Sequence, residues 1–295
     1  MKANKVLFIG GDMRQIRAVN RIAECGIETA VFGFEDTEGK KLSECVNILY
    51  DIRDIYDSYD VIILPLPYTI DGETINISGL KYKINVKDFL SKLSQKSIIF
   101  AGKSDKMIMK IAEDYELKII DYFDREELQI LNAIPTAEGA IQIAMEETSF
   151  TIHSSKCLVI GNGRIGAILS KMLNGIGADV TVAARKQKDR AKVFSLGMKS
   201  ISMVELYEKI SEFDIIFNTA PNLILDSDML MKSRRSVLII DLASKPGGVD
   251  FETARKMGIK VIWALSLPGK VAPDTAGDII GKTILNIIEE VEVKK

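Results

Sequence analysis

The sequence predicts an α/β protein of two doubly wound parallel-sheet domains linked by long helices, and three observations carry the prediction. Strand–glycine–helix–strand units occur twice, at 5–34 and at 156–184. Short apolar runs alternate with amphipathic ones through both halves, the order of a parallel sheet covered by helices on both faces. The chain has 295 residues, more than one typical core accommodates. The two units therefore read as the starts of two Rossmann-like domains. Residues 1–133 are assigned to an N-terminal flavodoxin- or Rossmann-like substrate domain, 134–153 to a linking helix and 154–273 to a nucleotide-binding Rossmann domain. The remainder, 274–295, is a C-terminal helix expected to pack at the interdomain junction.

In the first half, 5–34 runs from an apolar strand through Gly10-Gly11-Asp12 into a helix and a second strand. The turn lacks the third glycine of a dinucleotide fingerprint, and Asp12, a good N-cap, would repel a pyrophosphate. This unit reads as a Rossmann-like fold without a dinucleotide. Gly11, Asp12, Arg14 and Gln15 nonetheless stand at the carboxyl end of a strand, where open α/β sheets bind ligands. Residues 59–66 are a continuous apolar run typical of a buried parallel strand. Pro65-Leu66-Pro67 then forces the chain out of the sheet. A loop or small hairpin holding Gly72 and Gly79 fills 69–83. A helix at 86–93, a strand at 97–101, a strand-to-helix turn at Gly102-Lys103-Ser104 and a last strand at 117–121 complete the pattern. Pro135-Thr136-Ala137-Glu138-Gly139 opens the linking helix, because proline is well placed just inside a helix start, and that helix runs to about Glu147. His153 follows in the link and reads as structural.

The second half opens on Cys157–Ile160, a short apolar strand, followed by Gly161-Asn162-Gly163-Arg164-Ile165-Gly166. Each glycine answers a need of a dinucleotide site. Gly161 permits the tight turn, Gly163 lets the backbone approach the pyrophosphate, and Gly166 lets the helix pack closely on the strand. The N–H groups of the helix start then face the phosphates, aided by the helix dipole. Asn162 replaces the apolar residue often found between the first two glycines, which is tolerated if its side chain points away from the phosphates. The second strand of the unit ends in Ala183-Ala184-Arg185, with Lys186, Lys188 and Arg190 close behind. No carboxylate stands at this tip to take ribose hydroxyls, and a guanidinium pairs with a 2′-phosphate in a bidentate way. NADP(H) is therefore favoured over NAD(H), the bland alternative being a solvated basic turn. A strand at 214–218 leads into Asn218-Thr219-Ala220-Pro221, one at 237–241 into the 241–248 turn, and a short one at 260–263 into a loop at 267–273. The final helix, 274–290, carries Ile280, Ile284, Ile287 and Ile288 on one face. The helices near 140 and 280 are expected to form a hinge.

Composition narrows the function. At 47% hydrophobic, 27% charged and a net charge of −2, the chain gives no reason to expect nucleic acid or an anionic membrane as partner. No apolar run approaches the ~18 residues of a membrane span. With no signal sequence before the first strand, a cytoplasmic location is expected. Cys25, Cys45 and Cys157 show no metal spacing and read as reduced structural thiols. The one histidine, His153, excludes a multi-His metal site and argues against a Ser-His-Asp triad. Chemistry is left to an organic cofactor, with no metal.

Loops at strand carboxyl ends share one crevice in such sheets. By position, Asn218, Thr219, Ala220 and Pro221 line the nicotinamide. Arg14, Lys103, Ser104, Thr136, Ser244 and Lys245 are the groups suited to an anionic substrate. Glu138 and Asp241 are the carboxylates suited to move a proton, and Lys245 is the third catalytic candidate. Each has a structural alternative: Asp241 caps a turn, Glu138 complements a helix dipole, and Lys103 is simply solvated.

Seven separated motifs run in one order: IGGDMRQ at 9–15, IPTAEGAI at 134–141, TIH at 151–153, the glycine turn, the 218–221 turn, DLASKPGG at 241–248 and LPGKVAPDTAG at 267–277. Together they resemble the dipicolinate synthase A-subunit family over nearly the whole chain. The second domain is also similar, at fold level, to shikimate and 2-hydroxyacid dehydrogenases. The resemblance implies an NADP-linked oxidation of dihydrodipicolinate to dipicolinate, together with a flavoprotein-like B subunit, in the mother cell of a spore-forming bacterium. Aromatising a dihydropyridine removes a hydride and a proton, which calls for a nicotinamide and a modest base, and a dicarboxylate substrate calls for basic and hydroxyl groups. The resemblance carries over no catalytic residue, and it leaves a homo-oligomer open. Two alternatives stand beside it. One is a non-catalytic NADP-binding scaffold for the partner subunit. The other is a shikimate-type dehydrogenase, which needs a Lys–Asp pair; Lys103 with Asp105 is the nearest, and i, i+2 residues on a helix do not face each other.

Overall fold

The computed structural model describes residues 5–34, 42–56, 59–78 and 80–293. Gly79 lies outside these described residues. The chain forms two units, one of Met1–Asn132 with Ala272–Lys295 and one of Ala133–Val271. Each holds a six-stranded parallel sheet.

In the first unit the elements are β1 (Lys5–Ile9), α1 (Met13–Ala23), β2 (Glu28–Phe32), β3 (Asn47–Leu49), β4 (Val61–Ile63), α2 (Val86–Leu90), β5 (Ile98–Ala101), α3 (Lys106–Asp114) and β6 (Lys118–Asp121). Their spatial order is β3-β2-β1-β4-β5-β6, so the chain reverses direction between β1 and β4, the point where such sheets open a crevice. The central strands are buried on both faces, which is why they read as continuous apolar runs rather than alternating ones. Asp12 caps α1 as expected, accepting from the Arg14 N–H at 2.9 Å. The segment after β4 forms two isolated antiparallel bridges, Thr69 with Ile75 and Thr74 with Asn85. It lays Ile77 against the first glycine turn. A Cβ at Gly10, whose φ is +57°, would lie 2.5 Å from Ile77 Cγ1, and one at Gly33 would lie 2.7 Å from Ile77 Cγ2. Ile77 thus packs against both Gly10 and Gly33.

A helix, α4 (Glu126–Glu147), leads into the second unit. It starts nine residues before Pro135, the expected first residue, and Pro135 sits inside it. The residues before the proline are themselves good helix formers with Glu126 and Glu127 in the first turn, where they complement the dipole. Burial of Pro135, Ala137, Ala140 and Ala144 offsets the missing N–H.

The second unit continues with β7 (Lys156–Ile160), α5 (Arg164–Gly175), β8 (Asp179–Ala183), α6 (Gln187–Ser195), β9 (Lys199–Ile201), α7 (Met203–Lys209), β10 (Ile215–Asn218), α8 (Ser227–Lys232), β11 (Leu238–Asp241), α9 (Phe251–Met257), β12 (Lys260–Trp263) and α10 (Leu267–Val271). The order β12-β11-β10-β7-β8-β9 puts the reversal between β7 and β10. The stretch expected as a loop at 267–273 is largely helical. Pro268 occupies the first turn of α10, where no N–H is needed, and α10 packs on Gly139, whose missing Cβ would lie 3.2 Å from Leu267 Cβ.

The last helix, α11 (Pro273–Val293), lies along α1 in the first unit. Its isoleucine stripe is buried with Val19, Ile22 and Val31. Gly277 and Gly281 let the backbones approach: a Cβ at Gly277 would stand 2.4 Å from the Arg14 carbonyl oxygen. Arg17 donates to Asp278 at 2.9 Å, and Arg125 holds Glu290 through two hydrogen bonds of 2.8 and 2.6 Å.

Candidate functional site

The site in the second unit begins where β7 ends. Gly161 adopts φ +101°, a left-handed conformation that glycine supplies without strain, and its N–H donates to the Ala183 carbonyl at 2.9 Å. Gly163 is the N-cap of α5 and carries no side-chain cap; a Cβ there would meet nothing within 4 Å. Gly166 is buried, and its Cβ would fall 2.2 Å from the Gly161 carbonyl oxygen. One glycine turns, one leaves open space before a helix N-terminus, and one permits close packing. This is the cradle that a pyrophosphate requires.

The open space is a cleft of about 400 Å³ whose walls include Gly161, Asn162, Gly163, Arg185, Lys186 and Ala220. Asp189, Met203, Asn222 and Ile224 also line it. Arg185 and Lys186 are exposed at the tip of β8. Arg190 is turned the other way: its Nη1 donates to the carbonyls of Ala184 and Arg185 at 2.9 and 3.0 Å. Asn162 points sideways to α6, donating to the Asp189 carbonyl at 3.4 Å. Arg164 and Ile165 stand on the first turn of α5, Arg164 exposed and Ile165 half-buried against the core.

Beneath the cleft lies a buried polar knot. Asn218 and Asp241 are register partners on neighbouring strands, and both are fully buried. Asn218 Nδ2 donates to Asp241 Oδ1 at 2.8 Å and to the Ala220 carbonyl at 3.0 Å, while the Ala220 N–H donates back to Asn218 Oδ1 at 3.2 Å. Asp241 also accepts from the Ala243 N–H at 3.1 Å and the Gly248 N–H at 2.8 Å. Thr219 turns its hydroxyl onto the Ile160 carbonyl at 2.9 Å. So Asn218 and Thr219 shape the turn from below, and Asp241 is a turn-holding carboxylate with three donors. Pro221, Ser244 and Lys245 are exposed on the loops this knot positions.

The remaining expected site residues are elsewhere. Glu138 is exposed on α4 and lines a separate groove with Met145, Met172, Gly175 and Ile176, at the C-terminal end of α5 rather than at its glycine turn. Thr136 is half-buried on the same helix. In the first unit, Arg14 clamps Asp12 and donates to the Leu66 carbonyl at 2.7 Å, with its side chain 13% exposed. The backbone N–H groups of Lys103 and Ser104 donate to Asp121 at 3.1 and 2.5 Å, and the Ser104 hydroxyl is buried without a hydrogen-bond partner. Lys103 and Asp105 form no pair. Asp105 caps α3 and accepts from the Tyr68 hydroxyl at 2.8 Å, and burial, followed by that bond, pushes the Tyr68 phenol far up. Asp189 is the residue that sequence reasoning passed over. It lies four residues beyond Arg185, and only the first turn of α6 brings it back to the cleft. Among the described residues, no cluster of three or more His, Cys, Asp or Glu could hold a metal ion, and no helix is long and apolar enough to cross a membrane.

Comparison with known proteins places this arrangement. The chain is 33% identical to the dipicolinate synthase A subunit of Bacillus subtilis (strain 168) over 292 residues, 99% of this chain and 98% of that one. The chain belongs to the dipicolinate synthase A-subunit family. Residues 5–123 match the model of this family's N-terminal domain, and residues 142–263 match that of shikimate / quinate 5-dehydrogenase. The crystal structure of the Bacillus subtilis dipicolinate synthase A subunit superposes with a TM-score of 0.90 at 32% identity, covering 100% of this chain and 99% of that one. That of the A subunit from Bacillus halodurans gives 0.89 at 29% identity, covering 97% and 98%. Within this family, the dehydrogenase-like Rossmann fold of the second unit implies a nicotinamide cofactor, and the glycine cradle fits one.

Proposed function

We propose that this family member is an NADP-linked oxidoreductase that converts dihydrodipicolinate to dipicolinate, working with a flavoprotein-like B subunit in the cytoplasm of a sporulating mother cell. Whole-chain similarity to the A subunit of a dipicolinate synthase supports the substrate. The observation that carries the reading is the glycine cradle, in which Gly161, Gly163 and Gly166 each meet a different geometric need. When bound, the nicotinamide would accept a hydride from the dihydropyridine ring, which loses a proton as it becomes aromatic.

The chain's own residues have defined tasks in this reading. The 161–166 turn and the uncapped start of α5 bind the pyrophosphate. Arg185 and Lys186 neutralise the 2′-phosphate, the guanidinium through paired hydrogen bonds. The Asn218–Asp241 knot holds Thr219, Ala220 and Pro221 in place beside the nicotinamide. In the second unit Ser244, Lys245 and Thr136 are the candidates for binding a carboxylate, and in the first unit Arg14, Lys103 and Ser104 are. Aromatisation needs no strong base. Asp241, held by three donors, Glu138, lining another groove, and Lys245, exposed on the 241–248 turn, are the candidates for taking the proton.

The same observation favours a second reading, a nucleotide-binding scaffold whose partner carries the chemistry. Turnover separates the two: the purified chain with dihydrodipicolinate and NADP should form NADPH on the first reading and none on the second. Calorimetry of NADPH and NADH binding tests the cofactor itself. Arg185→Ala should weaken NADPH by about tenfold or more, the worth of a charge-assisted pair, and leave NADH nearly unchanged. Failure of the native chain to bind either nucleotide would overturn both readings.

A further inference from the structure

We propose that Asp189 is a specificity-determining residue of the cleft, opposing Arg185 and Lys186, so that the site takes the unphosphorylated nucleotide as well as the 2′-phosphorylated one. The inference rests on the nicotinamide-dinucleotide reading above. The tip of β8 offers no carboxylate, and sequence spacing alone therefore points to the phosphorylated cofactor. The fold changes this. Asp189 is the third residue of α6, is half-buried, and lines the same cleft as Gly161, Gly163, Arg185 and Lys186.

Two hydrogen bonds hold its backbone there. Asn162, between the first two fingerprint glycines, donates to the Asp189 carbonyl at 3.4 Å, and the Asp189 N–H donates to the Lys186 carbonyl at 3.1 Å. The glycine turn and the start of α6 are thereby tied together. Arg190 is withdrawn from the cleft by its bonds to the Ala184 and Arg185 carbonyls, and it fixes the backbone from which Arg185 projects. Among the described residues, the side chains of Asp189, Arg185 and Lys186 have no partner in one another or elsewhere.

Three charged residues thus line one cleft with their side chains unpaired. An ionised carboxylate only accepts hydrogen bonds, so it serves ribose hydroxyls and repels a phosphate dianion. The two cations do the reverse. With both kinds lining one cleft, neither nucleotide is excluded. A first-turn carboxylate would also complement the dipole of α6, and that role alone would affect both nucleotides equally.

The test is calorimetry of NADPH and NADH with the full chain, native and as Asp189→Asn, Asp189→Glu and Arg185→Ala, each checked by thermal unfolding. The native chain is expected to bind both, with dissociation constants within about tenfold of each other, the scale of one charge in a partly solvated site. Asp189→Asn should raise the preference for NADPH by about tenfold, by tightening NADPH and weakening NADH together. Asp189→Glu should stay near the native ratio, and Arg185→Ala should lower it. An unchanged ratio in Asp189→Asn, or native binding of NADPH alone, would overturn the proposal while leaving the dinucleotide reading intact. A native chain that binds neither nucleotide would overturn both, and that failure is visible before any variant is made.

Discussion

Replacing Gly163 with alanine separates the cradle from the fold. Gly163 sits at φ −82° and ψ −165°, extended backbone that any residue adopts, and a Cβ there meets nothing within 4 Å. Alanine is a poorer N-cap than glycine by up to about 1 kcal/mol, and the stiffer unfolded chain returns about 0.4–1 kcal/mol, so stability should move by less than about 1 kcal/mol. The added methyl stands where the pyrophosphate must approach, and overpacking costs about 1–3 kcal/mol, or roughly ten- to a hundredfold in affinity. Gly166→Ala is the contrast. Its Cβ would fall 2.2 Å from a backbone oxygen that cannot swing away, so α5 must shift, at about 3 kcal/mol of stability. Urea unfolding read against calorimetric NADPH binding distinguishes the two. Native-strength binding by Gly163→Ala, or a loss of stability as large as that of Gly166→Ala, would refute the cradle.

Three further outcomes are expected. Asp241→Asn turns an amide N–H₂ toward at least one buried donor among Asn218, Ala243 and Gly248, and should cost about 1–3 kcal/mol in urea unfolding; loss of turnover with unchanged stability would instead make Asp241 a base. Gly277→Val drives a side chain into the Arg14 carbonyl oxygen, so calorimetric unfolding of the first unit should fall by about 3 kcal/mol while the second unit holds. Burial raises the Cys157 thiol from 9.0 to about 11. At pH ~8 a thiol reagent should therefore modify the exposed Cys25 and Cys45 and leave Cys157 until the chain unfolds. Because the raised value favours the protonated folded form, its contribution to stability is complete below pH 9 and is lost as the pH rises toward 11.

Five strands of each sheet, the glycine turns and the final isoleucine stripe were legible in the sequence, since each rests on a local demand that few residue types meet; the short edge strands β3 and β9, which are not continuous apolar runs, were not. Two further elements were misread at a proline. Pro135 looks like a helix start, and only the packing of α4 shows it inside one. Pro268-Gly269 looks like a loop, and only the close approach to Gly139 makes it a helix. In the site, the sequence named the glycines and the two cations, Arg185 and Lys186, that line one cleft, but not the surroundings of the carboxylates. A sequence shows that Asp241 ends a strand, but not that three donors converge on it. It shows Asp189 past the strand tip, but not that a helical turn carries it back. Glu138 follows the same logic, because which groove a helix face lines is decided by its neighbours and not by its own spacing.

The pairing of α1 with α11 also dictates an order of events during synthesis. The second unit is continuous in sequence and has all its parts once residue 271 has emerged. The first unit does not, because the apolar side of α1 around Val19 and Ile22 is covered by isoleucines at 279–288. The unit that leads in sequence is therefore the last to close, inverting the usual N-terminal-first order. Until then it exposes an unpartnered apolar helix face to chaperones and proteases. A message truncated anywhere in α11 would yield a chain with a sound nucleotide-binding half and an unfinished partner half, which quality control would remove.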